Sequence, residues 1–381
     1  MRKLRILLAA TFVIMAVSTV YVSRTAAQDA VKGDWKAKFG ANDGGQFYLE
    51  LRTSSWSRTH TWGDSHQLSD FAGLDANLAT HDGPAHFELR REAGTFAFDG
   101  QFHAGEGSGD FHFTPSSAYI QSMKELGYTG LSDDRLLSLA SLNVTTAQIK
   151  ELKELGYHDL SLDQLMALTI HGASPDFIRA IRVVVPGSLS VDNLVAMRIH
   201  GVSPEYVKEI KSLLGKDFSV DELVAFRIHG VSPEFVKEVR AALSADVNAD
   251  QLVAMRIHGT DPEFIRGMSA QLGHNLDVDQ LVAFRIHGVS PEFVEQMHAL
   301  VSKDLSADQL VAFRIHGVSP EFVKNMRDVG YSNISPDQLV AMRIHGVDAA
   351  FVKDVRVHGD QNPSIDDLIR MRIHGHSRAS M

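Results

Sequence analysis

Apolar positions fall into two regimes along the chain. From about Val31 to Pro115 they alternate with polar ones, and the stretches "QFYLELRT", "AHFELRREAGTFAFDGQFH" and "GSGDFHFTP" are broken by Gly-rich turns. That pattern reads as short antiparallel strands, and it predicts a small β-meander, sandwich or roll over 31–115. Phe96, Phe98, Phe102, Phe111 and Phe113 are expected to form one inward-facing set. The run "GEGSG", Gly105 to Gly109, lies between strands with no helix after it, so it reads as a hairpin turn and not a phosphate loop.

Beyond Pro115 helical spacing takes over, and it repeats. The His of a His-Gly pair recurs at His171, His200, His229, His258, His287, His316, His345 and His374, always 29 residues apart. A period held without insertion is the mark of stacked repeats. A weaker unit spans Leu131 to Tyr157, with Leu142 in the place of the His, and Ala118 to Tyr128 fits as half a unit before it. The expected fold is mainly α with a small N-terminal β domain: an α-solenoid of two-helix, 29-residue units over 116–376. It would comprise a half-unit at 118–128, a degenerate unit at 131–159, regular units over 160–362 and a terminal half-unit at 363–376.

Within a unit the punctuation predicts two short helices. Ser190 is an N-cap, and "SVDE" at Ser219 to Glu222 and "SADQ" at Ser306 to Gln309 are capping boxes. The first helix runs to about Ile199, and Gly201 supplies a left-handed stop. Ser203 caps the second helix, with Pro204 at its first position and Glu205 at the positive end of its dipole. On that helix Tyr206, Val207, Ile210, Leu213 and Leu214 share one face, and Lys208, Glu209, Lys211 and Ser212 take the rest. On the first helix Leu194, Val195, Met197 and Ile199 are expected to define the apolar side, with Arg198 projecting between Leu194 and Val195.

This Arg recurs as Arg227, Arg256, Arg285, Arg314, Arg343 and Arg372. A guanidinium at a seam between units needs a carboxylate or several carbonyl oxygens, because an unpaired buried charge costs several kcal/mol. Asp192 and Glu205, with Asp221 and Glu234 one unit on, are candidate partners. The leading expectation is a ladder of Arg–carboxylate bridges that sets the stacking register, and the competing one is a row that binds anionic groups. The His ladder is expected to cap helix ends. It does not suit a metal, since equivalent positions on neighbouring units lie about 8–10 Å apart, too far for a shared ion. The β region adds His60, His66, His81, His86, His103 and His112, near Asp64, Asp70 and Asp110, with His103 and His112 able to approach across a hairpin. Their spacing follows no zinc pattern, so neither metal nor cofactor is expected.

The N-terminus "MRKLRILLAATFVIMAVSTVYVSRTAAQDA" has a basic start, an apolar run from Ile6 to Val22 and small residues at Thr25-Ala26-Ala27. It reads as a secretory signal over 1–27, or an N-terminal anchor through 6–22 as the one membrane attachment, and places the rest in the periplasm or outside the cell. With no Cys there is no disulfide, no thiol nucleophile and no Cys-ligated zinc. A formal net charge of −10 argues against nucleic acid as a partner. The chain carries no HExxH, G-x-S-x-G, phosphate-loop or dinucleotide motif, so no enzyme is expected. What remains is an interaction scaffold for a protein or peptide, whose binding face would hold the positions that vary between units, such as Lys208, Glu209 and Lys211 against Glu295 and Gln296. The alternative is a binder of an anionic ligand or envelope glycan through the Arg ladder or the β domain.

The unit "LSADQLVAFRIHGVSPEFVKNM", Leu305 to Met326, resembles a repeat of uncharacterised bacterial exported proteins, and is similar to C-terminal extensions of membrane metallopeptidases of the beta-lactam-sensing kind. The resemblance covers about Ala118 to His374, and "GPAHFELRREAGTFAFDGQFHAGEGSGDFHFTP" looks like the β-segment preceding the repeats there. It implies an extracytoplasmic sensing or interaction module without peptidase activity, since the metallopeptidase motif is missing from this sequence. "DQLVAFRIHG" also looks like part of a transcription activator-like effector repeat. The shorter period, the missing "GGKQAL", the nearly constant loop pair and the acidic charge all oppose DNA reading.

Overall fold

The computed structural model describes residues 31–40, 46–55, 58–243, 246–273, 276–359 and 361–374; the expected signal or anchor at 1–27 falls outside them. The chain divides into two compact units after Glu154. The expected fold class holds: an antiparallel sheet is followed by consecutive short helices. The half-unit and most of the degenerate unit fall in the same compact unit as the sheet.

In the first unit the strands are β1 (Val31–Phe39), β2 (Gln46–Ser55), β3 (Arg58–Gln67), β4 (Phe71–Ala72), β5 (Gly83–Arg91), β6 (Gly94–His103) and β7 (Glu106–Pro115). They form one sheet in the order β3-β2-β1-β7-β6-β5-β4, every neighbouring pair antiparallel. The sheet curls: Phe47 of β2 and Phe71 of β4 lie near opposite ends of the strand order, yet their ring centroids are 5.0 Å apart. The five Phe expected to face inward are all buried, with Phe96 opposite Phe113 and Phe98 opposite Phe111. Trp35 fills the middle, 5.2 Å from Phe87, and its indole N–H donates to the Asp99 carbonyl at 3.2 Å. It fits because position 100 is Gly; a Cβ there would stand 2.7 Å from Trp35 Cζ2.

Helices α1 (Ser117–Glu125), α2 (Asp133–Ser141) and α3 (Thr146–Glu154) complete this unit, α2 packing against β6, β7 and β1. At the stop after α2, Asn143 replaces the usual Gly and takes the left-handed conformation at φ 54°, which Asn tolerates better than most residues.

The second unit alternates two kinds of helix. The first helices of successive repeats are α4 (Leu162–Ile170), α6 (Val191–Ile199), α8 (Val220–Ile228), α10 (Ala249–His258), α12 (Val278–His287), α14 (Ala307–His316), α16 (Pro336–Ile344) and α18 (Ile365–His374). The second helices are α5 (Pro175–Val184), α7 (Pro204–Leu214), α9 (Pro233–Leu243), α11 (Pro262–Leu272), α13 (Pro291–Leu300), α15 (Pro320–Asp328) and α17 (Ala349–His358). First helices pack on first helices from α4 through α18, and second on second from α5 through α15. Helices of 9 to 11 residues are too short to persist alone, so burial between neighbours must hold them. Leu194, Met197, Val202, Val207 and Ile210 are each at most 1 % exposed, and a fully buried aliphatic side chain contributes about 1.5–3 kcal/mol.

The predicted punctuation is present. Ser190, Ser219 and Ser306 form capping boxes with Asn193, Glu222 and Gln309. The His-Gly stop is a Schellman motif: in α6 Val202 N–H donates to Met197 O at 2.7 Å and Gly201 N–H to Arg198 O at 3.2 Å, with Gly201 at φ 69°. One expectation is corrected. Ile199 does not belong to the buried side; it is 54 % exposed. At 100° per residue it lies about 140° from Leu194 and 200° from Met197, and those two residues set the inward direction.

Candidate functional site

The Schellman turn satisfies two carbonyls at the end of each first helix from α4 to α16 and leaves the carbonyl of the His without a partner from its own unit. In three units that oxygen takes the Arg of the next unit. Arg198 Nε donates to His171 O at 3.2 Å, Arg227 Nε to His200 O at 3.3 Å and Arg256 Nε to His229 O at 3.4 Å, each reaching back one unit. The same guanidiniums lie over an aromatic ring of the preceding second helix: Arg198 over Phe177 at 5.0 Å, Arg227 over Tyr206 at 4.9 Å and Arg256 over Phe235 at 4.9 Å. Arg314, Arg343 and Arg372 sit likewise over Phe293, Phe322 and Phe351 at 5.0, 5.1 and 4.8 Å. The third wall is the preceding Gly, where a Cβ would come within 3.0 Å of Nη2 of Arg198, Arg227, Arg256, Arg314 or Arg343.

The expected carboxylate partners are therefore elsewhere. Asp192 and Asp221 lie in the first turn of their own helices, α6 and α8. Glu205 and Glu234 also serve their own helices. Hydrogen bonds from their own backbone N–H groups and from Ser203 and Ser232 hold both carboxyls below the ordinary range. A negative oxygen at a helix end and a ring face replace the carboxylate, and the charge is exposed instead of buried, so no ion pair is demanded.

Arg285 is the exception. Here the loop pair reads Thr260-Asp261 in place of Val-Ser; Asp261 Oδ1 caps α11 at Phe264 N, and Oδ2 meets Arg285 Nη2 at 3.1 Å. Arg285 lies 4.0 Å from the Phe264 ring centre, closer than its counterparts.

The His ladder contributes its backbone, not its rings. His171, His200, His229 and His345 are C-caps, while His258, His287, His316 and His374 end their helices. Among the described residues none of these imidazoles makes a hydrogen bond or ion pair, contrary to the expected ring capping, because the Schellman amides and the next unit's Arg already serve the last carbonyls.

A second ladder went unread in the sequence. Lys153, Arg182, Lys211, Arg240, Arg327 and Arg356 stand at multiples of the same 29-residue period on the second helices. Within their own compact units five of them reach back to C-terminal carbonyls, Lys153 to Leu126 at 2.8 Å, Arg182 to Leu155 at 2.7 Å, Lys211 to Val184 at 3.0 Å, and Arg240 and Arg327 to Leu213 and Leu300, while Arg356 lies over the Tyr331 ring at 5.5 Å. Ser269 and half-buried His298 occupy the intervening positions, and His298 Nε2 has no partner. The recurrence was visible, but a cation on a wet face reads as solvated until its neighbour is known. Of the positions expected to line a binding face, Lys211 is thus committed to packing, while Lys208, Glu209, Glu295 and Gln296 are exposed.

One exposed row has no such role. The residue before the His is Ile in all eight units that carry the His: Ile170, Ile199, Ile228, Ile257, Ile286, Ile315, Ile344 and Ile373, all 40–60 % exposed. Ile170, Ile199 and Ile228 each precede the His whose carbonyl takes the next unit's Arg, so there isoleucines and guanidiniums follow one another along the stack.

In the β unit, His86 pairs with Asp99 and His103 with Asp82, both at 2.6 Å, while His66 packs on Phe71. His103 and His112 do not meet: their register partners are Glu106 and Ala97. His60's side chain lies outside the described residues, and among those described no group of His, Cys, Asp or Glu is arranged to hold a metal ion. A shallow cleft of about 360 Å³ lined by Lys36, Lys38, Tyr48, Glu50 and Glu106 lies on the outer face of β1, β2 and β7, with Lys38 and Glu106 paired across it at 2.6 Å.

These features define a β domain joined in sequence to a stack of two-helix repeats clamped by cations on helix-terminal carbonyls. No protein-family model matches the chain, and no curated protein does. Among the described residues no helix is long and apolar enough to cross a membrane.

Proposed function

We propose that the protein is an exported, non-enzymatic repeat scaffold that holds a protein or peptide partner at the bacterial envelope, along the edge that carries the Arg-Ile-His triplets. The observation that carries this reading is the Ile row. Single exposed apolar side chains are ordinary on a protein surface, but the same one at the same place in eight units, 40–60 % exposed, makes a regular row of apolar side chains. Within-chain repetition of Arg and Gly is explained by the clamp between units; repetition of Ile is not. Export rests on the basic and apolar start of the sequence, and the resemblance to repeats of exported sensor-like proteins points the same way.

The test is to select binders from a random peptide library against the full chain, then measure them against the triple variant Ile199→Lys, Ile228→Lys, Ile257→Lys. The expected result is loss of binding with the fold retained by circular dichroism. Selected peptides that bind the variant as tightly as the parent would refute the assignment of this edge.

A further inference from the structure

Resting on that reading of the Ile edge, we infer that the partner segment is an extended, acidic and apolar peptide whose carboxylates seat on the guanidiniums of the Arg ladder. Three observations carry this. Arg198, Arg227 and Arg256 are each fixed by a ring, a glycine and one carbonyl, which uses Nε and leaves the Nη1 and Nη2 donors without a protein acceptor among the described residues. A guanidinium held in place loses little further freedom when it pairs, and its planar fork matches a carboxylate.

Next, the chain contains its own example of the complex. Asp261 stands where the other units carry Ser174, Ser203, Ser232, Ser290 or Ser319, and its free oxygen occupies Arg285 at 3.1 Å while the guanidinium stays on its ring. A carboxylate therefore fits this site: it draws the guanidinium off the His carbonyl and away from the glycine, leaving Arg285 Nε without a partner, while the ring contact stays. In the five units with Ser, no carboxylate lies within ion-pair distance of the Arg among the described residues. Asp348, at the same cap position in a later unit, bonds Phe351 N at 2.8 Å.

Finally, spacing and composition select a peptide. Packed helices stand about 8–10 Å apart, and an extended chain in the polyproline-II conformation advances about 3.1 Å per residue with about three residues per turn, so one acidic residue in every three would face the same side and keep register with the units. The Ile beside each Arg offers an apolar contact to the residues between. A nucleic acid or a sulfated glycan would satisfy the arginines but make no use of the isoleucines.

The experiment measures fluorescence anisotropy of the full chain with a labelled peptide of repeating Glu-Ser-Val, and with its Lys-Ser-Val counterpart. The acidic peptide is expected to bind at least about tenfold more tightly, with an affinity that falls as salt rises. The decisive variant is Ser203→Asp, Ser232→Asp, Ser290→Asp, Ser319→Asp, which plants the Asp261 arrangement on four more arginines; since Asp caps a helix as well as Ser does, the thermal midpoint is expected to hold. Binding should drop at least about tenfold, one unit of log affinity or 1.4 kcal/mol, while the corresponding Ser→Asn variant, uncharged and equally good as a cap, binds like the parent. Asp261→Ser should free Arg285 and tighten binding. Equal binding of the parent and the four-Asp variant would overturn the inference, and so would single-stranded DNA or heparin binding as tightly as the acidic peptide. Library-selected peptides that depend on the Ile row but ignore the four Asp substitutions would overturn the carboxylate inference alone and leave the Ile edge as the interaction surface.

Discussion

Replacing Gly201 or Gly259 by Ala separates the energetic role of the Arg clamp from that of the turn. Both glycines are left-handed, at φ 69° and 68°, so both substitutions incur the same backbone strain, about 1–2 kcal/mol for a residue with a Cβ. Their surroundings differ. A Cβ at 259 meets nothing within 4 Å, because Arg285 has moved to Asp261, whereas a Cβ at 201 lies 3.0 Å from Arg227 Nη2. Arg227 cannot yield freely; it is held 4.9 Å from the Tyr206 centroid and 3.3 Å from His200 O. A cation–π contact of this exposed kind contributes about 0.5–1 kcal/mol, and a hydrogen bond from a charged donor about 1.5–3 kcal/mol at full strength, less at this length and exposure. Gly201→Ala should therefore cost about 0.5–1.5 kcal/mol more than Gly259→Ala. Urea denaturation followed by circular dichroism measures both, and the excess should vanish in an Arg227→Ala background, where the neighbour that must move is gone. Equal costs for the two glycines would refute the clamp as an energetic element.

The second ladder predicts that His298→Arg, placing a cation where Lys211 and Arg240 reach a helix-terminal carbonyl, stabilises the stack by about 1 kcal/mol, read as a rise in the urea midpoint. His298 also predicts a pH response. Burial lowers its pKa from the ordinary 6.5, so below that pH the unfolded chain binds more protons, and stability should fall as pH drops from 6.5 through the depressed folded value. Denaturation midpoints between pH 7.5 and 5 should decline less in His298→Gln; identical slopes would exclude His298 as a contributor. In the β unit, Gly100→Ala forces a Cβ against Trp35 and the Ser108 carbonyl, and should cost at least about 2 kcal/mol, with a change in Trp fluorescence reporting the displaced indole.

Much of the repeat was legible because its signals are local. Ser190 and Asn193, Gly201, and Ser203 with Pro204 act within a few residues of themselves, and the 29-residue period fixed how many times they would do so. The inward Phe set followed from strict alternation with a period of two. Alternation was also present in β1, at Val31, Gly33, Trp35, Ala37 and Phe39, but it was hidden by the small residues at two of those positions. Partners between units were harder to see. Arg198 bonds a backbone oxygen 27 residues earlier, and a carbonyl has no signature in residue type, whereas the carboxylates that do have one serve their own helices. Ile199 was misplaced for a related reason: a nine-residue helix has too few turns for apolarity alone to fix its inward direction, and the residue next to its stop can be apolar and exposed.

Hydrogen–deuterium exchange of the full chain with and without a library-selected peptide tests the account most directly. Binding along the Arg-Ile-His edge predicts added protection at the stops of the first helices, around Ile199 to Val202, Ile228 to Val231 and Ile257 to Thr260, with the outer faces of α7 and α9 unchanged. Protection confined to the outward positions of the second helices, around Lys208, Glu209, Lys237 and Glu238, would contradict it and return the binding face to the residues that vary between units.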